Sequence, residues 1–323
     1  MNELSASSKN CVKTAKALSE QYEVKLISTF SDIDKVSNYF SVKSVRHIRA
    51  GIGVNDNFLL EIIDRLIFST LSYLSAIMGR WDIIYTRDIA FLAFLAILPI
   101  KGKLVAFECH KLIDRNNKFP TFLQDIALRN SDIIFCVSNG VKSEVEDKVT
   151  DTDKVYLQRN CVDLNSFEDL EPPENTGKIT LTYIGSFKKN KDVKTLINAF
   201  KKLNPQEYAL KLIGLNDEKL KNFNDLENIQ LYGFLPEVKL IDQISNSNIL
   251  IYTSDESYHQ LKYTSPMKLF EYMATKRPVI AADLPTIREI AEDTIYYYEP
   301  CKPDSLKDKI EEINKKNVEA KVS

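Results

Sequence analysis

Lys268 and Glu271 lie three residues apart, directly after a serine–proline pair in the C-terminal half of the chain. Ser265 can cap a helix and Pro266 suits its first position, so we predict a helix from this pair to about Thr275. The free N–H groups at such a helix start attract phosphate, and Lys268 adds a full positive charge. Glu271, one turn further, can accept hydrogen bonds from sugar hydroxyls. This order of groups predicts a pocket for a nucleotide sugar.

The predicted helix also needs a face for packing, and Met267, Phe270 and Ala274 share one side that suits contact with a sheet. An ordinary explanation of the charged pair stays open. A lysine and a glutamate at this spacing are usually solvated partners worth about 0.2–0.5 kcal/mol, and serine–proline helix starts occur in any α/β protein. The chemistry of these residues alone therefore does not decide between the two interpretations.

Helical and short apolar segments alternate along the chain, which predicts parallel sheets with crossover helices. The predicted strands include Glu23 to Ser28, Asp82 to Thr86, Lys103 to Phe107, Asp132 to Val137, Lys154 to Gln158 and Ile179 to Ile184. Arg87 and His110 each follow an apolar strand, at the edge where open α/β sheets place ligand contacts. A loop hydrogen bond is the ordinary alternative for either side chain. An acidic stretch with two prolines, residues 167–178, predicts a linker between an N-terminal domain, 1–166, and a C-terminal domain, 179–323.

Composition limits the partners of the protein. The 323 residues are 44% hydrophobic and carry 43 basic against 45 acidic side chains, so no net field attracts nucleic acid. The five cysteines form no C-x-x-C pair, which favours reduced thiols in the cytoplasm and argues against a zinc site. We therefore expect a small-molecule partner, no metal and no nucleic acid.

Two apolar stretches bear on membrane contact. The run from Ile89 to Ile100 is too short to span a bilayer and predicts a buried helix. The segment from Phe58 to Met78 carries Glu61, Asp64 and Arg65. Core packing is its ordinary explanation. The alternative is an interfacial helix that gives peripheral contact with the inner membrane face, where an acceptor would lie.

The segment S-P-M-K-L-F-E-Y-M-A, followed by R-P-V-I-A-A-D-L-P-T-I-R-E-I, resembles the donor-site signature of family 4 glycosyltransferases in their S-P-x-K-x-x-E-Y branch. This resemblance implies the GT-B fold, in which two Rossmann-like domains face each other across a cleft. It also implies retaining, metal-independent transfer of a sugar, typically a hexose, from a nucleoside diphosphate to a hydroxyl acceptor. That acceptor is a glycan, a lipid-linked molecule or a small molecule, as in polysaccharide biosynthesis.

Six further elements between residues 82 and 300 resemble the same family. They are Y-T-R-D at 85–88, F-E-C-H at 107–110, the strand that ends in a serine at 132–138, N-C-V-D-L-N-S-F at 160–167, the glycine turn G-S-F-K-K-N-K-D at 185–192 and G-F-L-P at 233–236. The resemblance implies that Lys191 and Lys268 hold the diphosphate, that Glu271 orients the ribose and that His110 contacts the reacting sugar or the acceptor. It assigns donor binding to Gly185, Ser186, Gly233, Phe234, Leu235, Ser265 and Pro266, and sugar or acceptor contacts to Arg87, Glu108 and Tyr263.

Several positions depart from the family pattern. Tyr263 replaces a second glutamate, Asp192 replaces the glycine after Lys191, and Lys276 replaces a helix-ending glycine at a cost of roughly 1 kcal/mol. Compared with this family we expect the chain to be shortened at both ends and its N-terminal domain to lack the first strand. A sugar-nucleotide epimerase of related fold and an inactive nucleotide-sugar binder are the alternative functions.

Two D-x-D sequences, at residues 32–34 and 151–153, have the form that other glycosyltransferases use to bind a metal. Both lie in polar stretches where aspartate usually caps or turns the chain. We interpret them as turns.

Overall fold

A computed structural model of the protein describes residues 6–29, 46–50, 58–112, 118–174, 176–187, 191–214, 228–255 and 261–322. The chain divides into two compact units, Met1–Arg159 and Asn160–Ser323. This division falls slightly before the predicted domain end at residue 166, and the linker over 167–178 stays a prediction. The D-x-D sequence at 32–34 lies outside the described residues.

The N-terminal unit alternates helices and strands, as its sequence pattern predicts. Its strands are β1 (Lys25–Ser28), β2 (Arg46–Arg49), β3 (Ile83–Thr86), β4 (Leu104–Cys109), β5 (Ile133–Cys136) and β6 (Val155–Leu157). Its helices are α1 (Ala6–Ser19), α2 (Phe58–Met78), α3 (Ile89–Ile97), α4 (Lys118–Arg129) and α5 (Asn139–Glu146). The sequence does not predict strand β2, because its four residues, Arg-His-Ile-Arg, lack an apolar alternation.

The strands of this unit form two sheets. Strands β1 and β2 pair in parallel, and β3, β4, β5 and β6 form a parallel sheet in that order. Among the described residues β3 pairs only with β4, so its outer edge faces no described strand. The predicted lack of a first strand in the N-terminal domain stays a prediction.

Helix starts in this unit follow from local capping. Asp88 precedes α3 in an extended conformation, and its carboxylate accepts a hydrogen bond from the Phe91 N–H at 2.7 Å. Ser138 caps α5 in the same way through the Val141 N–H at 3.2 Å. Each cap satisfies an N–H group that the helix itself leaves unpaired.

Helix α2 has an unusual distribution of side chains. It packs on α3 through contacts such as Tyr73 against Phe94, with ring centroids 5.5 Å apart. Its buried positions include Asp64, Ser69 and Ser72, whereas its exposed positions include the large apolar residues Leu60, Ile62, Ile63, Leu66, Leu71, Leu74, Ile77 and Met78. This is the reverse of an ordinary surface helix. Even so, no helix in the described part of the chain is both long and apolar enough to span a membrane.

The C-terminal unit also alternates strands and helices. Its strands are β7 (Ile179–Ile184), β8 (Tyr208–Ile213), β9 (Ile229–Tyr232), β10 (Ile249–Tyr252), β11 (Val279–Ala282) and β12 (Tyr296–Tyr298). Its helices are α6 (Val193–Phe200), α7 (Glu237–Ser245), α8 (Met267–Ala274), α9 (Pro285–Ala291) and α10 (Pro303–Val322). The sequence predicted β7 with the same bounds and gave no prediction for α10.

All six strands of this unit are parallel, in the order β12-β11-β10-β7-β8-β9. The central strands are mostly apolar, apart from Thr180, Thr182 and Lys211, as expected for strands covered by helices on both faces. Residues such as Leu181, Leu210 and Ile251 are fully buried. Helix α10 completes this core with Leu306, Ile310 and Ile313. The predicted α/β class is thus confirmed in both units.

The packing face predicted for α8 is wrong. Leu269 and Tyr272 are fully buried in the core, whereas Met267, Phe270 and Ala274 are only partly buried. The reason is that Tyr272 carries a hydroxyl that reaches an N–H donor inside the sheet, which the apolar pattern alone does not reveal. The helix is therefore rotated relative to the prediction.

Candidate functional site

Three glycine turns meet at the carboxyl edge of the C-terminal sheet, where neighbouring parallel strands end. The Gly185 N–H after β7 donates to Ile213 O at 2.9 Å, and the Gly214 N–H after β8 donates to Tyr232 O at 3.1 Å and Gly233 O at 3.2 Å. Parallel sheets bind ligands at this edge. The structure therefore brings the predicted donor residues Gly185 and Gly233 together through Gly214, which the prediction omitted.

Two of these positions require glycine for steric reasons. A Cβ atom on Gly185 would lie 2.6 Å from the Tyr183 hydroxyl oxygen. Gly214 has a φ of +100°, and a Cβ there would lie 2.9 Å from Gly185 O. The Tyr183 hydroxyl donates to Ser186 O at 3.0 Å, which holds the predicted donor residue Ser186 beside this turn. Glycine at these two positions therefore allows the turns after β7 and β8 and the Tyr183 side chain to pack closely at this edge.

Helix α8 is fastened to the same edge by Tyr272. Its hydroxyl oxygen accepts a hydrogen bond from the Ile184 N–H at 2.8 Å, and the side chain is fully buried. Burial raises the pKa of Tyr272 well above its ordinary value, so the hydroxyl stays protonated. Sequence reasoning did not assign Tyr272 a role, although it belongs to the quoted signature and follows Glu271 directly.

The predicted helix cap at Ser265 is wrong. Pro266 occupies the cap position of α8 and, with no polar side-chain atom, gives no cap hydrogen bond. The Ser265 hydroxyl accepts the Asn160 N–H at 2.9 Å, and Ser265 O accepts the Asn160 side-chain amide. Asn160 lies 105 positions earlier in the chain, so no local pattern could reveal this contact. It fixes the segment that enters α8.

Lys268 and Glu271 form a direct ion pair on α8, as their spacing allows. The Glu271 side chain is almost buried, and the Lys268 side chain is 30% exposed. The lysine can therefore meet a ligand from solvent while the carboxylate holds it in place. This geometry favours a fixed cation over a freely solvated one.

Lys191 precedes α6, next to the end of β10. Its carbonyl oxygen accepts a hydrogen bond from the Thr253 hydroxyl, and its ammonium lies 5.9 Å from the centroid of the Tyr252 ring. Asp192 follows with a φ of 44°, a conformation that glycine adopts without strain. One buried carboxylate oxygen of Asp192 has no partner among the described residues. The convergence of Lys191 and Lys268 on one diphosphate stays a prediction.

The remaining donor-side candidates differ in exposure. Phe234 is 44% exposed, whereas Leu235 packs against the core. Tyr263 ends a short 3-10 turn, Leu261–Tyr263, and its ring lies 4.7 Å from the Lys262 ammonium. These positions make Phe234 the more accessible side chain for a ligand.

The candidates of the N-terminal unit form one hydrogen-bonded cluster at the ends of β3 and β4. Glu108, which is 5% exposed, stands at its centre. Its Oε2 accepts hydrogen bonds from the Tyr85 hydroxyl, from Arg87 Nε at 2.9 Å and from the Arg87 guanidinium nitrogen at 2.8 Å. Its Oε1 lies 2.7 Å from His110 Nε2. The structure therefore brings Arg87, Glu108 and His110 together, a contact that the sequence did not predict.

The cluster favours an ionised Glu108. Burial opposes the charge, but the His110 hydrogen bond and the Arg87 charge outweigh burial, so the pKa of Glu108 lies below its ordinary value. The cluster therefore stabilises the fold above the ordinary carboxyl pKa, and this stabilisation is lost as the pH falls through the lowered value. Arg87 also donates to the Thr14 hydroxyl of α1 at 3.2 Å.

In the part of the chain that the structure describes, no group of three or more His, Cys, Asp and Glu side chains is arranged to hold a metal ion. This arrangement does not decide whether the reaction needs a metal, so metal-independent transfer stays a proposal.

Most of the C-terminal unit matches a known protein family. Residues 166–322, slightly under half of the chain, match the family model described as "Glycosyl transferases group 1". No curated protein sequence matches the chain. The family match covers the glycine edge and α8, together with Lys191.

Solved structures extend the likeness to nearly the whole chain. A glycosyltransferase from Rickettsia africae has a TM-score of 0.70 at 20% identity, over 96% of this chain and 85% of its own. A sucrose-phosphate synthase from Thermosynechococcus elongatus has a TM-score of 0.67 at 15% identity, over 93% and 82%. Anabaena Alr3699/HepE, in complex with UDP and glucose, has a TM-score of 0.66 at 13% identity, over 95% and 86%.

These likenesses establish an α/β fold of the GT-B glycosyltransferase type, with two Rossmann-like units. Together with the group 1 domain, they support a nucleotide-sugar glycosyltransferase.

The end of α8 generates a stability prediction. Lys276 is exposed and has a φ of 58°, where a side chain is strained. We expect Lys276→Gly to raise the free energy of unfolding by about 0.5–1 kcal/mol in urea denaturation, because glycine adopts this conformation without strain. Lys276→Ala keeps the Cβ and serves as the control, with no gain expected. Equal stabilities of the glycine and alanine variants would contradict the strain.

Proposed function

We propose that the protein is a retaining glycosyltransferase that transfers a sugar, of the hexose type, from a nucleoside diphosphate to a hydroxyl acceptor. One observation carries this proposal: a hydrogen bond accepted by Tyr272 holds α8, with its Lys268–Glu271 pair, at the sheet edge that carries the glycine turns. The chain that forms this sheet matches a glycosyltransferase family. The edge is the carboxyl end of a parallel sheet, where ligands bind, and the helix offers a lysine held by a carboxylate. Both are what a nucleoside diphosphate needs.

In this proposal the main task of the C-terminal unit is to stabilise the departing diphosphate. Lys268 and Lys191 would act as fixed cations, and preorganised charge is worth most where water is excluded. Glu271 would hold Lys268 and turn its second oxygen toward the ribose. No metal is needed in this scheme, because the two lysines and the helix start supply the positive charge.

The donor proposed for first testing is UDP-glucose. The support is indirect and comes from Anabaena Alr3699/HepE, whose structures include complexes with UDP and with UDP-glucose. For the acceptor we propose a glycan or a lipid-linked molecule in polysaccharide biosynthesis. An epimerase would convert the donor without an acceptor, and an inactive binder would bind UDP and turn nothing over, so both alternatives are outcomes of the same assay.

We also propose that the protein works in the cytoplasm. All five cysteines are free, and Cys109 and Cys136 are buried on neighbouring strands, as expected of a protein kept in a reducing compartment.

The first functional prediction concerns the two cations. Lys268→Ala and Lys191→Ala should each weaken UDP binding by about 1–3 kcal/mol, the range for charge-assisted hydrogen bonds, in calorimetric titration. Lys202→Ala is the matched control, since Lys202 is an exposed lysine of the same unit paired with Asp304. Glu271→Gln, measured beside Lys268→Ala, separates loss of the cation from exposure of an unpaired carboxylate. Unchanged affinity in both lysine variants would sink the assignment.

The second functional prediction separates the two units. If His110 serves the reacting sugar or the acceptor, His110→Ala should leave UDP affinity near that of the wild type while turnover falls at least about 100-fold. Radiolabelled sugar transfer and calorimetry measure the two quantities. A large loss of UDP affinity in a variant with unchanged circular dichroism would argue against this division.

The third functional prediction concerns the exposed apolar face of α2. We propose that it contacts a membrane surface, because its side chains are leucine, isoleucine and methionine with Met78 82% exposed. Leu66→Asp with Leu74→Asp should reduce co-sedimentation with phosphatidylglycerol-containing vesicles about tenfold or more, since two charges would enter the interface. Val238→Asp, at an 80% exposed valine of the other unit, is the control. A wild-type protein that does not sediment with vesicles, or sediments as well after both substitutions, would contradict the proposal.

A further inference from the structure

The two carboxylate oxygens of Glu108 accept different numbers of hydrogen bonds. Oε2 takes three donors, one from Tyr85 and two from Arg87, and Oε1 takes His110 Nε2. With four donors on a side chain that is 5% exposed, little acceptor capacity is left for a sugar hydroxyl. The sequence-based assignment of Glu108 to direct sugar contact therefore fits this geometry poorly.

His110 receives a defined orientation from this carboxylate. An ionised carboxylate only accepts hydrogen bonds, so the 2.7 Å contact to Nε2 requires the proton on that nitrogen. In the neutral ring the proton can occupy one nitrogen only, which leaves Nδ1 as an acceptor. The His110 side chain is 36% exposed, so a ligand can reach the ring.

Glu108 is in turn fixed from several directions. Arg87 binds it through two nitrogens and also reaches Thr14 on α1, while β3 and β4 pair in register at Tyr85 and Ala106. The lowered pKa of Glu108 agrees with an acceptor-only carboxylate. The same cluster thus fixes the position and the tautomer of the ring beside it.

We propose that Glu108 is a positioning residue that holds His110 in the Nε2–H tautomer, so that Nδ1 accepts a hydrogen bond from a hydroxyl group of the sugar or the acceptor. The role of the hydroxyl rests on the proposed glycosyltransferase function. The tautomer does not, and it can be tested without turnover.

Nitrogen NMR of histidine-labelled full-length protein at pH 8 tests the tautomer directly. The chain has three histidines, and the signal set that disappears in His110→Ala belongs to His110. We expect long-range proton–nitrogen couplings of the Nε2–H form for His110. An Nδ1–H form, or a ring protonated on both nitrogens at this pH, would overturn the proposal even if the protein proves to be a glycosyltransferase.

Glu108→Gln tests the cause. Because Tyr85 and Arg87 crowd the Oε2 position with donors, the amide oxygen should take that place and the amide NH₂ should face His110. An NH₂ group donates, so Nε2 must accept and the ring proton moves to Nδ1. We expect this inverted tautomer with UDP affinity unchanged and kcat/KM lowered about 100-fold, because Nδ1 then carries the proton and can no longer accept a hydrogen bond from the hydroxyl group.

Separate KM values identify the source of the hydroxyl. A rise in the donor KM in Glu108→Gln assigns it to the sugar, and a rise in the acceptor KM assigns it to the acceptor. Asp125→Asn, which removes a carboxylate paired with Lys148 on another face of the same unit, is the control and should change neither tautomer nor kinetics. An unchanged tautomer, or full activity with an inverted one, would overturn the positioning role. If the wild type transfers no sugar, the proposed function fails while the two tautomer measurements still decide the rest.

Discussion

The hydrogen bond from the Ile184 N–H to the Tyr272 hydroxyl joins the last residue of the central strand β7 to the helix that carries Lys268 and Glu271. A buried N–H group without a partner costs about 1–3 kcal/mol, so the sheet needs an acceptor at this point. The side chain that supplies it is anchored in the core. As a result, the orientation of α8, and with it the direction of the charged pair, depends on a backbone requirement of the sheet.

The N-terminal unit buries a carboxylate, that of Glu108, near the carboxyl end of β4. A buried charge is tolerated when it is paired and fully hydrogen-bonded, and Glu108 obtains both from its neighbours on β3 and β4. These partners are placed by the parallel register, since the residues that end adjacent strands are necessarily close. The cost of burying the charge is thereby offset by an arrangement that also orients His110.

Sequence reasoning captured what local patterns contain and missed what distant contacts decide. The bounds of β7 followed from six apolar and β-branched residues between a linker and a glycine. The pairing of Lys268 with Glu271 followed from helix geometry. Ser265 could not be assigned correctly, because its hydroxyl is occupied by Asn160, which is remote in sequence. Strand β2 was missed because basic residues conceal its strand character.

Asp192 and Lys276 show how far the backbone of the donor edge is determined by topology. Both have positive φ values, 44° and 58°, at positions where the resembling family has glycine. The positive φ values therefore persist without glycine, the residue that adopts them with little strain. We infer that packing on either side of each turn imposes them. Strain of this kind costs about 1 kcal/mol per position and must be outweighed by burial in the adjoining strands and helices. A carboxylate at residue 192 adds a second cost, because one of its buried oxygens has no partner among the described residues. If Lys191 binds a diphosphate as proposed, the neighbouring carboxylate of Asp192 would repel that ligand and offset part of the attraction of the lysine.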